Sequence, residues 1–294
     1  MKVFNTLSGK KENLIPIEKN KIKMYVCGMT VYDDTHIGHA RTFISFDLIV
    51  RYLRSINYEV HYIRNITDVD DKIIARAEEL NISPKELTEK YIDSMNEDFM
   101  SLGMIEPDLE PRATDNIDSI ISLIEILLEK GHAYEGDSDV YFSAESFDSY
   151  GKLSRRNLED MLAGARVEVD TDKKNPADFV LWKKNTEGLK WDSPWGAGRP
   201  GWHIECSAMS MDALGETFDI HGGGSDLKFP HHENEIAQSE CVTGKEFAKV
   251  WMHTGSLRID KEKMSKSLKN FVTIKDALEI NSPEVLRLFL ISSH

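Results

Sequence analysis

Two short segments that lie far apart in the sequence carry side chains suited to binding phosphate. The sequence HIGH at positions 36–39 occurs where the loop after a predicted strand enters a predicted helix, so imidazole N–H groups and the helix N-terminus can face one anion. The sequence KMSKS at positions 263–267 lies in a strongly polar stretch, where flexible lysines can neutralise charge that builds on a leaving pyrophosphate. Each segment alone is also typical of an ordinary surface loop. Together, in this order, they indicate a site that binds a nucleoside triphosphate.

Two cysteines, one histidine and one glutamate form a candidate metal-binding set. His231 and Glu235 lie four residues apart in a predicted helix and therefore share one of its faces. Cys27 ends a predicted strand, and Cys206 follows a turn-rich segment. Two thiolates, an imidazole and a carboxylate suit a tetrahedral zinc ion. Taken singly, each residue is also typical of a buried cysteine or a surface ion pair, so the interpretation depends on all four together.

The composition is that of an ordinary globular protein. The chain has 294 residues, of which 40% are hydrophobic, and this length predicts one large domain or two interleaved ones. Three cysteines, Cys241 being the third, argue against a disulfide framework. Neither a signal-peptide core nor a run of about 20 apolar residues is found, so we expect a cytoplasmic protein that does not enter a membrane.

The net charge restricts how a nucleic acid could bind. A formal charge of −14 opposes phosphate-rich partners over most of the surface, because nucleic-acid affinity comes largely from lysine and arginine. Basic residues cluster only within positions 155–199 and 260–275. A nucleic-acid partner is therefore expected to dock on those stretches.

Hydrophobic periodicity predicts that strands and helices alternate. A strand at 23–27 precedes a helical pattern at 44–53, and a second strand at 58–66 precedes a helix at 72–80. This order predicts an α/β fold with a doubly wound parallel sheet. Further helices are predicted at 84–100, 116–130 and 231–241, and further strands at 140–142, 218–221 and 250–252.

A change in the residue pattern divides the predicted sheet domain into two parts. From about residue 131 the chain contains short β-like pieces, basic pairs and the turn-rich WDSPWGAGRPGW, which indicates an α+β insertion. The expected units are the first half of the catalytic domain, a connective insertion, the second half with the metal and nucleotide segments, and the KMSKS loop with the helices after it. Their expected boundaries are 1–130, 131–201, 202–260 and 261–294. Cys27, Thr67 and His221 fall at or near predicted strand ends, where parallel sheets bind ligands, so we expect them to meet in one crevice.

The pairing of HIGH with KMSKS, some 220 residues apart, resembles the class I aminoacyl-tRNA synthetases. This resemblance implies a Rossmann-type catalytic domain split by an insertion, with ATP and Mg²⁺ as a substrate pair. GSD at positions 224–226 is similar to a third ATP segment of that family, and it implies that Asp226 lies near the ribose. The resemblance assigns ATP contacts to His36, Gly38, His39, Asp226, Lys263 and Lys266. Of these, the two histidines and the two lysines are the expected catalytic groups.

Longer stretches resemble the cysteinyl-tRNA synthetase family, and the likeness covers nearly the whole chain. They include YVCGMTVYD, RNITDVDDKI, SPWGAGRPGWHIECSAM and FDIHGGGSDLKFPHHENEIAQ. The resemblance implies that one zinc ion is held by the four candidate ligands and that the thiolate of substrate cysteine joins it, a contact that a serine hydroxyl makes poorly. It also implies that Trp202 packs over the amino acid and that Thr67 fixes its position. Three residues are expected to order the pocket floor: His203, His221 and His232.

The partners implied by this resemblance are ATP, L-cysteine and the acceptor arm of tRNA(Cys), and the expected state is a monomer. Members of the family continue into a helical domain that reads the anticodon, whereas this sequence ends in one amphipathic helix at 283–294, so we expect the catalytic portion alone. Two alternatives remain open at this point. One is a ligase that transfers activated cysteine to an amino sugar, and the other is a non-catalytic tRNA-binding paralogue.

Overall fold

The computed structural model of the chain describes residues 1–156, 172–184, 188–259, 262–263 and 271–292. Its strands are β1 (Lys2–Asn5), β2 (Lys10–Asn13), β3 (Lys21–Val26), β4 (Glu59–Arg64), β5 (Ala133–Glu135), β6 (Asp139–Phe142), β7 (Phe179–Lys184), β8 (Gly198–Pro200), β9 (Phe218–Gly224), β10 (Ala248–Thr254), β11 (Arg258–Ile259) and β12 (Glu262–Lys263). Its helices are α1 (Ile37–Ser55), α2 (Asp71–Leu80), α3 (Pro84–Ser101), α4 (Ile117–Glu129), α5 (Ile204–Leu214), α6 (Glu233–Thr243), α7 (Ile274–Ile280) and α8 (Pro283–Ser292). None of the helices in these described ranges is long and apolar enough to cross a membrane.

A four-stranded parallel sheet forms the centre of the molecule, in the order β10-β9-β3-β4. From β3 the chain moves to β4 on one side, and it returns to β9 on the other side only after the intervening segment. The topological switch point therefore lies between β3 and β9, where parallel sheets bind ligands at the carboxyl ends of their strands. A hydrogen bond of 2.9 Å from the Cys27 N–H to the Gly222 carbonyl joins the ends of β3 and β9 at this point.

Helices cover both faces of this sheet, which confirms the predicted α/β fold. Met24 and Val26 pack with α1, while Tyr25, between them on β3, points to the opposite face beside α5 and α6. Burial on both faces explains why the β3 and β4 sequences are apolar without strict alternation near their ends. Helix α1 contributes its apolar stripe to the first face, including Phe43 and Phe46, both of which are buried.

A second, antiparallel sheet of order β5-β6-β7-β8 lies in the chain between the two halves of the parallel sheet. Its buried residues, among them Trp182, pack against α4 and against the outer sides of α5 and α6. Ion pairs also join this antiparallel sheet to α2, because Asp71 at the start of α2 accepts from Arg199 and from Lys183, the latter at 3.0 Å. Glu233, fully buried, accepts the backbone N–H groups of Leu153 and Ser154.

The structure differs from the sequence-based expectations at several elements. The helix predicted from His231 is α-helical from Glu233 and is continuous with a π-helical turn at Lys228–His232, in which Phe229 has an extended backbone. The sequence pattern did not predict α5, since this helix is buried on almost every side and lacks an amphipathic period. Neither the β1–β2 hairpin nor α7 was predicted. The glycines at 222–224 form the end of β9.

A substitution at Gly222 tests how closely α1 must approach the switch point. A Cβ atom at this position would overlap the ring of Phe46, which is buried and has little room to move. We expect Gly222→Ala to lower the free energy of unfolding by about 1–3 kcal/mol through overpacking. Chemical denaturation would measure the change. Gly255→Ala is the matched control, because its Cβ would first meet Arg41 at 3.9 Å, and an equal loss in both variants would contradict the argument.

Candidate active site

The four candidate metal ligands come from four separate elements and meet beside the switch point. Cys27 directly follows β3, Cys206 lies in the first turn of α5, His231 lies in the turn before α6, and Glu235 lies in the first turn of α6. All four are buried, and one donor atom from each lies within 4.8 Å of the others. The fold therefore brings four potential metal ligands into one buried cluster.

The distances between these donor atoms match those of a tetrahedral zinc site. The two sulfurs are 3.8 Å apart, and Cys27 Sγ lies 3.6 Å from His231 Nε2 and 3.4 Å from Glu235 Oε1. Zinc bonds of about 2.3 Å to sulfur and about 2.1 Å to nitrogen or oxygen give tetrahedral edges of about 3.8 Å between sulfurs and about 3.6 Å from sulfur to the lighter donors. His231 Nε2 and Glu235 Oε1 are closer, at 2.9 Å, because they form an ion pair. The residues present thus fit zinc.

Further histidines hold these ligands in place. The second carboxylate oxygen of Glu235 pairs with His221 Nε2 at 2.7 Å, and the His221 ring stacks on Trp251 with centroids 4.3 Å apart. The other ring nitrogen of His231 lies 2.5 Å from Nδ1 of His203, whose backbone has a φ of 98°. A left-handed φ is uncommon for histidine, so the surrounding structure must hold this residue in position. Such outer contacts fix the orientation of metal ligands.

A second donor set shares part of the first. It consists of Cys27, His221, His232 and Glu235, and all its members are buried. Because Cys27 and Glu235 belong to both sets, the two cannot each hold an ion independently. The set with Cys206 and His231 has two thiolates, which are the softer and more strongly charged zinc ligands, so it fits zinc better.

Burial and mutual contact shift the pKa values of the four ligands. Burial and the adjacent Cys206 raise the pKa of the Cys27 thiol well above its ordinary value. At Cys206 burial is again the largest influence and acts in the same direction, but the hydrogen bond from Cys27 and the contacts with His231 together outweigh it, and the pKa falls to about 6. Burial disfavours the charged form of His231, yet the Glu235 and Cys206 charges raise its pKa well above the usual value. Burial likewise opposes ionisation of Glu235, whose pKa is nevertheless held well below normal by His221 and His231.

One open cavity of about 570 Å³ connects this cluster with the predicted nucleotide segments. Cys27, Cys206 and His231 line its inner end. The residues expected to contact the nucleotide and the amino acid also line it: His36, Gly38, His39, Thr67, Trp202 and Asp226. Chain regions that are distant in sequence are thus brought into one cavity at the carboxyl ends of the parallel strands.

His36 and His39 form a stacked pair at the N-terminus of α1. Their ring centroids are 3.6 Å apart, and His36 caps the helix by accepting the backbone N–H of His39 at Nδ1, at 3.1 Å. His39 Nδ1 faces the backbone N–H of His36 at 3.5 Å. Because Nδ1 is the acceptor in both rings, the neutral imidazoles carry their protons on Nε2. Each ring is therefore a donor suited to a phosphate oxygen.

The remaining predicted site residues are placed as follows. Asp226 follows β9 at the cavity wall, and Thr67 follows β4. Trp202 is 45% exposed, and its ring lies 4.8 Å from that of His231. The backbone of Lys263 is part of the short strand β12, whereas Lys266 lies outside the described residues.

One pocket residue was not singled out from the sequence. Asn65 is 1% exposed and lines the cavity two residues before Thr67. Its side chain bonds the backbone N–H of Gly28 and the hydroxyl of Thr67. The only sequence signal was its place in RNITD, at the end of a predicted strand, where a buried polar residue must find partners.

Comparisons with known proteins give a consistent result. A family model described as "tRNA synthetases class I (C) catalytic domain" matches residues 13–294. A relative from Pelobacter propionicus, named "Cysteine--tRNA ligase", is 59% identical over all of this chain and 60% of its own length. Another with the same name, from Marinomonas sp. (strain MWYL1), is 60% identical over all of this chain and 64% of its own length. The chain thus spans about three fifths of these curated relatives.

A solved structure agrees in fold at low sequence identity. Methionyl-tRNA synthetase of Mycobacterium tuberculosis, in complex with methionyl-adenylate, is similar with a TM-score of 0.73 and an identity of 15%. The match covers 92% of this chain and 64% of that chain. At this identity the likeness extends to the fold alone, which is the doubly wound α/β fold predicted from the sequence.

Zinc content is the direct measure of the four-ligand cluster. We expect about one zinc ion per chain in native mass spectrometry, because two sulfurs, an imidazole nitrogen and a carboxylate oxygen lie within 4.8 Å of one another. Cys206→Ser should lose most of this metal. Cys241→Ser is the matched control, since Cys241 is also buried but lies outside both donor sets. Equal zinc retention in the two variants would refute the assignment.

The uptake of zinc should also release protons. At pH 7 the metal-free pocket holds a thiol at Cys27 and a protonated imidazole at His231, because both pKa values are raised. Zinc binds both groups in their deprotonated forms, so we expect the release of about two protons per chain and an affinity that falls as the pH falls. Calorimetric titration at pH 7, in buffers of different ionisation enthalpy, counts these protons. Uptake without proton release would contradict a protonated Cys27 and His231 in the metal-free pocket.

Proposed function

The chain belongs to the class I (C) tRNA synthetase catalytic-domain family, and on this premise we propose that it activates L-cysteine with ATP to cysteinyl adenylate and transfers the cysteinyl group to tRNA(Cys). One observation carries the choice of amino acid. Three members of the thiolate-rich donor set, Cys27, Cys206 and His231, line the same cavity that the HIGH segment borders, and the fourth, Glu235, is buried within 4.8 Å of them. An apolar pocket would separate cysteine from serine only modestly, since the two differ in a single atom.

The proposed metal site accounts for that selectivity. When bound, zinc supplies a soft centre that coordinates the substrate thiolate and lowers its pKa. The chain's own residues then shape the subsite around it. His221 and His203 fix the orientation of Glu235 and His231, and the Trp202 ring covers the outer side. Enough discrimination would arise from binding that hydrolytic editing of serine is not required.

The nucleotide is proposed to lie at the opposite end of the cavity. His36 and His39 would donate from Nε2 to phosphate oxygens at the N-terminus of α1, whose dipole adds partial positive charge. Asp226 would accept from the ribose hydroxyls. Lys263 and Lys266 would meet the charge that develops on magnesium pyrophosphate as it leaves.

No covalent enzyme intermediate is needed in this scheme. The cysteine carboxylate attacks the α-phosphorus of ATP, the bond to pyrophosphate breaks, and the adenylate forms. Catalysis consists of holding the two substrates in line and stabilising phosphate charge, and one continuous cavity suits this role. A 3′-terminal hydroxyl of tRNA then attacks the acyl carbon and AMP departs.

The proposal also covers organisation and setting. Segments 1–130 and 202–260 would act as the two halves of the catalytic domain, with 131–201 as the connective insertion and 261–294 carrying the KMSKS loop. We place the protein in the cytoplasm as a monomer, with Mg²⁺ accompanying ATP. The acceptor arm of tRNA would meet the basic stretches, because the charge of −14 repels phosphate elsewhere.

Cysteine-dependent ATP–pyrophosphate exchange tests the activation step. We expect zinc-loaded protein to catalyse exchange with L-cysteine and to show little with L-serine, and Cys206→Ser should lose the cysteine-dependent signal. The Cys241→Ser variant serves as the folded control. Absence of exchange in metal-loaded wild type would overturn the proposal, as would equal exchange with serine.

The acceptor is tested in the same samples after exchange has been established. Charging of tRNA(Cys) should weaken as the salt concentration rises, because binding of the acceptor arm depends on lysine and arginine contacts to phosphate. Transfer to an amino-sugar acceptor, with none to tRNA, would replace the tRNA assignment and leave the activation step intact.

A further inference from the structure

Asn65 joins the two loops that follow the central strands β3 and β4. Its side-chain oxygen accepts the backbone N–H of Gly28 at 2.8 Å, and its amide nitrogen lies 3.3 Å from the hydroxyl oxygen of Thr67. The backbones also bind each other, because the Thr67 N–H donates to Met29 and the Thr67 carbonyl accepts from Val31, both at 3.2 Å. Asn65 therefore sits in a rigid frame at the floor of the cavity.

The direction of both side-chain bonds follows from Gly28. A backbone N–H can only donate, so the atom of Asn65 that faces it must be the carbonyl oxygen. The amide nitrogen is then fixed toward Thr67 and must donate to it. Gly28 keeps this contact close, because a Cβ there would overlap the backbone oxygen of Asn65.

The hydrogen bond from Asn65 determines the direction in which the Thr67 hydroxyl can donate its proton. Since Thr67 Oγ1 accepts from Asn65, its own proton must point elsewhere, and Thr67 lines the cavity beside Cys27. Among the residues that the structure describes, no hydrogen-bond acceptor takes that proton. The substrate acceptors nearby are the thiolate and the carboxylate of cysteine, and the thiolate belongs to the metal set. The ammonium group has no lone pair to offer.

We propose that Asn65 is a positioning residue that fixes the Thr67 hydroxyl as a hydrogen-bond donor to the carboxylate of the bound amino acid. This inference rests on the proposed function and deepens it. Holding the carboxylate from one side leaves its other oxygen directed toward the nucleotide end of the cavity, as the attack on ATP requires. Asn65 itself does not touch the substrate.

Asn65→Asp separates this role from a packing role. One aspartate oxygen still accepts from Gly28, but the other now takes the Thr67 proton, so the hydroxyl presents lone pairs to the carboxylate. In calorimetric titrations of the zinc-loaded protein, we expect L-cysteine to bind at least about tenfold more weakly than to the wild type, the size of one hydrogen bond to a charged group. Cysteamine, which has the same thiol and amine but no carboxylate, should bind within about twofold of the wild type.

Thr67 variants keep the inference testable if the aspartate variant does not fold. Thr67→Val should lose affinity for L-cysteine alone, Thr67→Ser should retain it, and Asn65→Asp added to Thr67→Val should cause no further loss. Asn175→Asp is the matched control, because Asn175 also accepts a backbone N–H and donates to a side chain but does not line the cavity.

The outcomes separate this inference from the proposed function. Failure of the wild type to bind L-cysteine would remove the proposed function itself. Wild-type binding that Asn65→Asp leaves unchanged would overturn only the inference. An equal loss of L-cysteine and cysteamine binding would also overturn it, because Asn65 would then support the pocket without acting through Thr67.

Discussion

The parallel pairing of β3 with β9 is the constraint on which the rest of the structure depends. It brings Cys27 beside Gly222 although most of the chain lies between them, and it creates the switch point where ligands can enter. Helices α5 and α6 pack on one face of this pair and deliver Cys206 and Glu235 to its end. Residues that are 179 positions apart thereby place their sulfur atoms at tetrahedral spacing.

The cluster at this point concentrates charge in a dry interior, which is costly unless every group has a partner. Glu235 shows how the cost is met, because each of its oxygens pairs with a different histidine. The donors of this cluster therefore partly compensate one another's charge. An ion of charge +2 would complete that compensation, so metal binding and local stability are coupled.

The fold by itself does not distinguish one amino acid from another. A methionyl-tRNA synthetase in complex with methionyl-adenylate has a similar fold at 15% identity, so under the proposed function the choice of amino acid would lie in the side chains that line the cavity. In this chain those side chains are paired with backbone groups that restrict what each can donate or accept. The stacked His36 and His39 are held as Nε2 donors by the helix N-terminus, and Asn65 is oriented by Gly28.

Sequence patterns identified what is local. The alternation of strands and helices follows from periods of a few residues. The spacing of HIGH and the i,i+4 relation of His231 and Glu235 are local in the same way. The folded chain has these local relations too. The tertiary structure determined which residues distant in sequence come into contact. It alone showed that Cys206 lies on a helix buried on nearly every side and that Asn65 reaches Gly28. Strand pairing and helix packing join residues with no common period, so no pattern in the sequence reports those contacts.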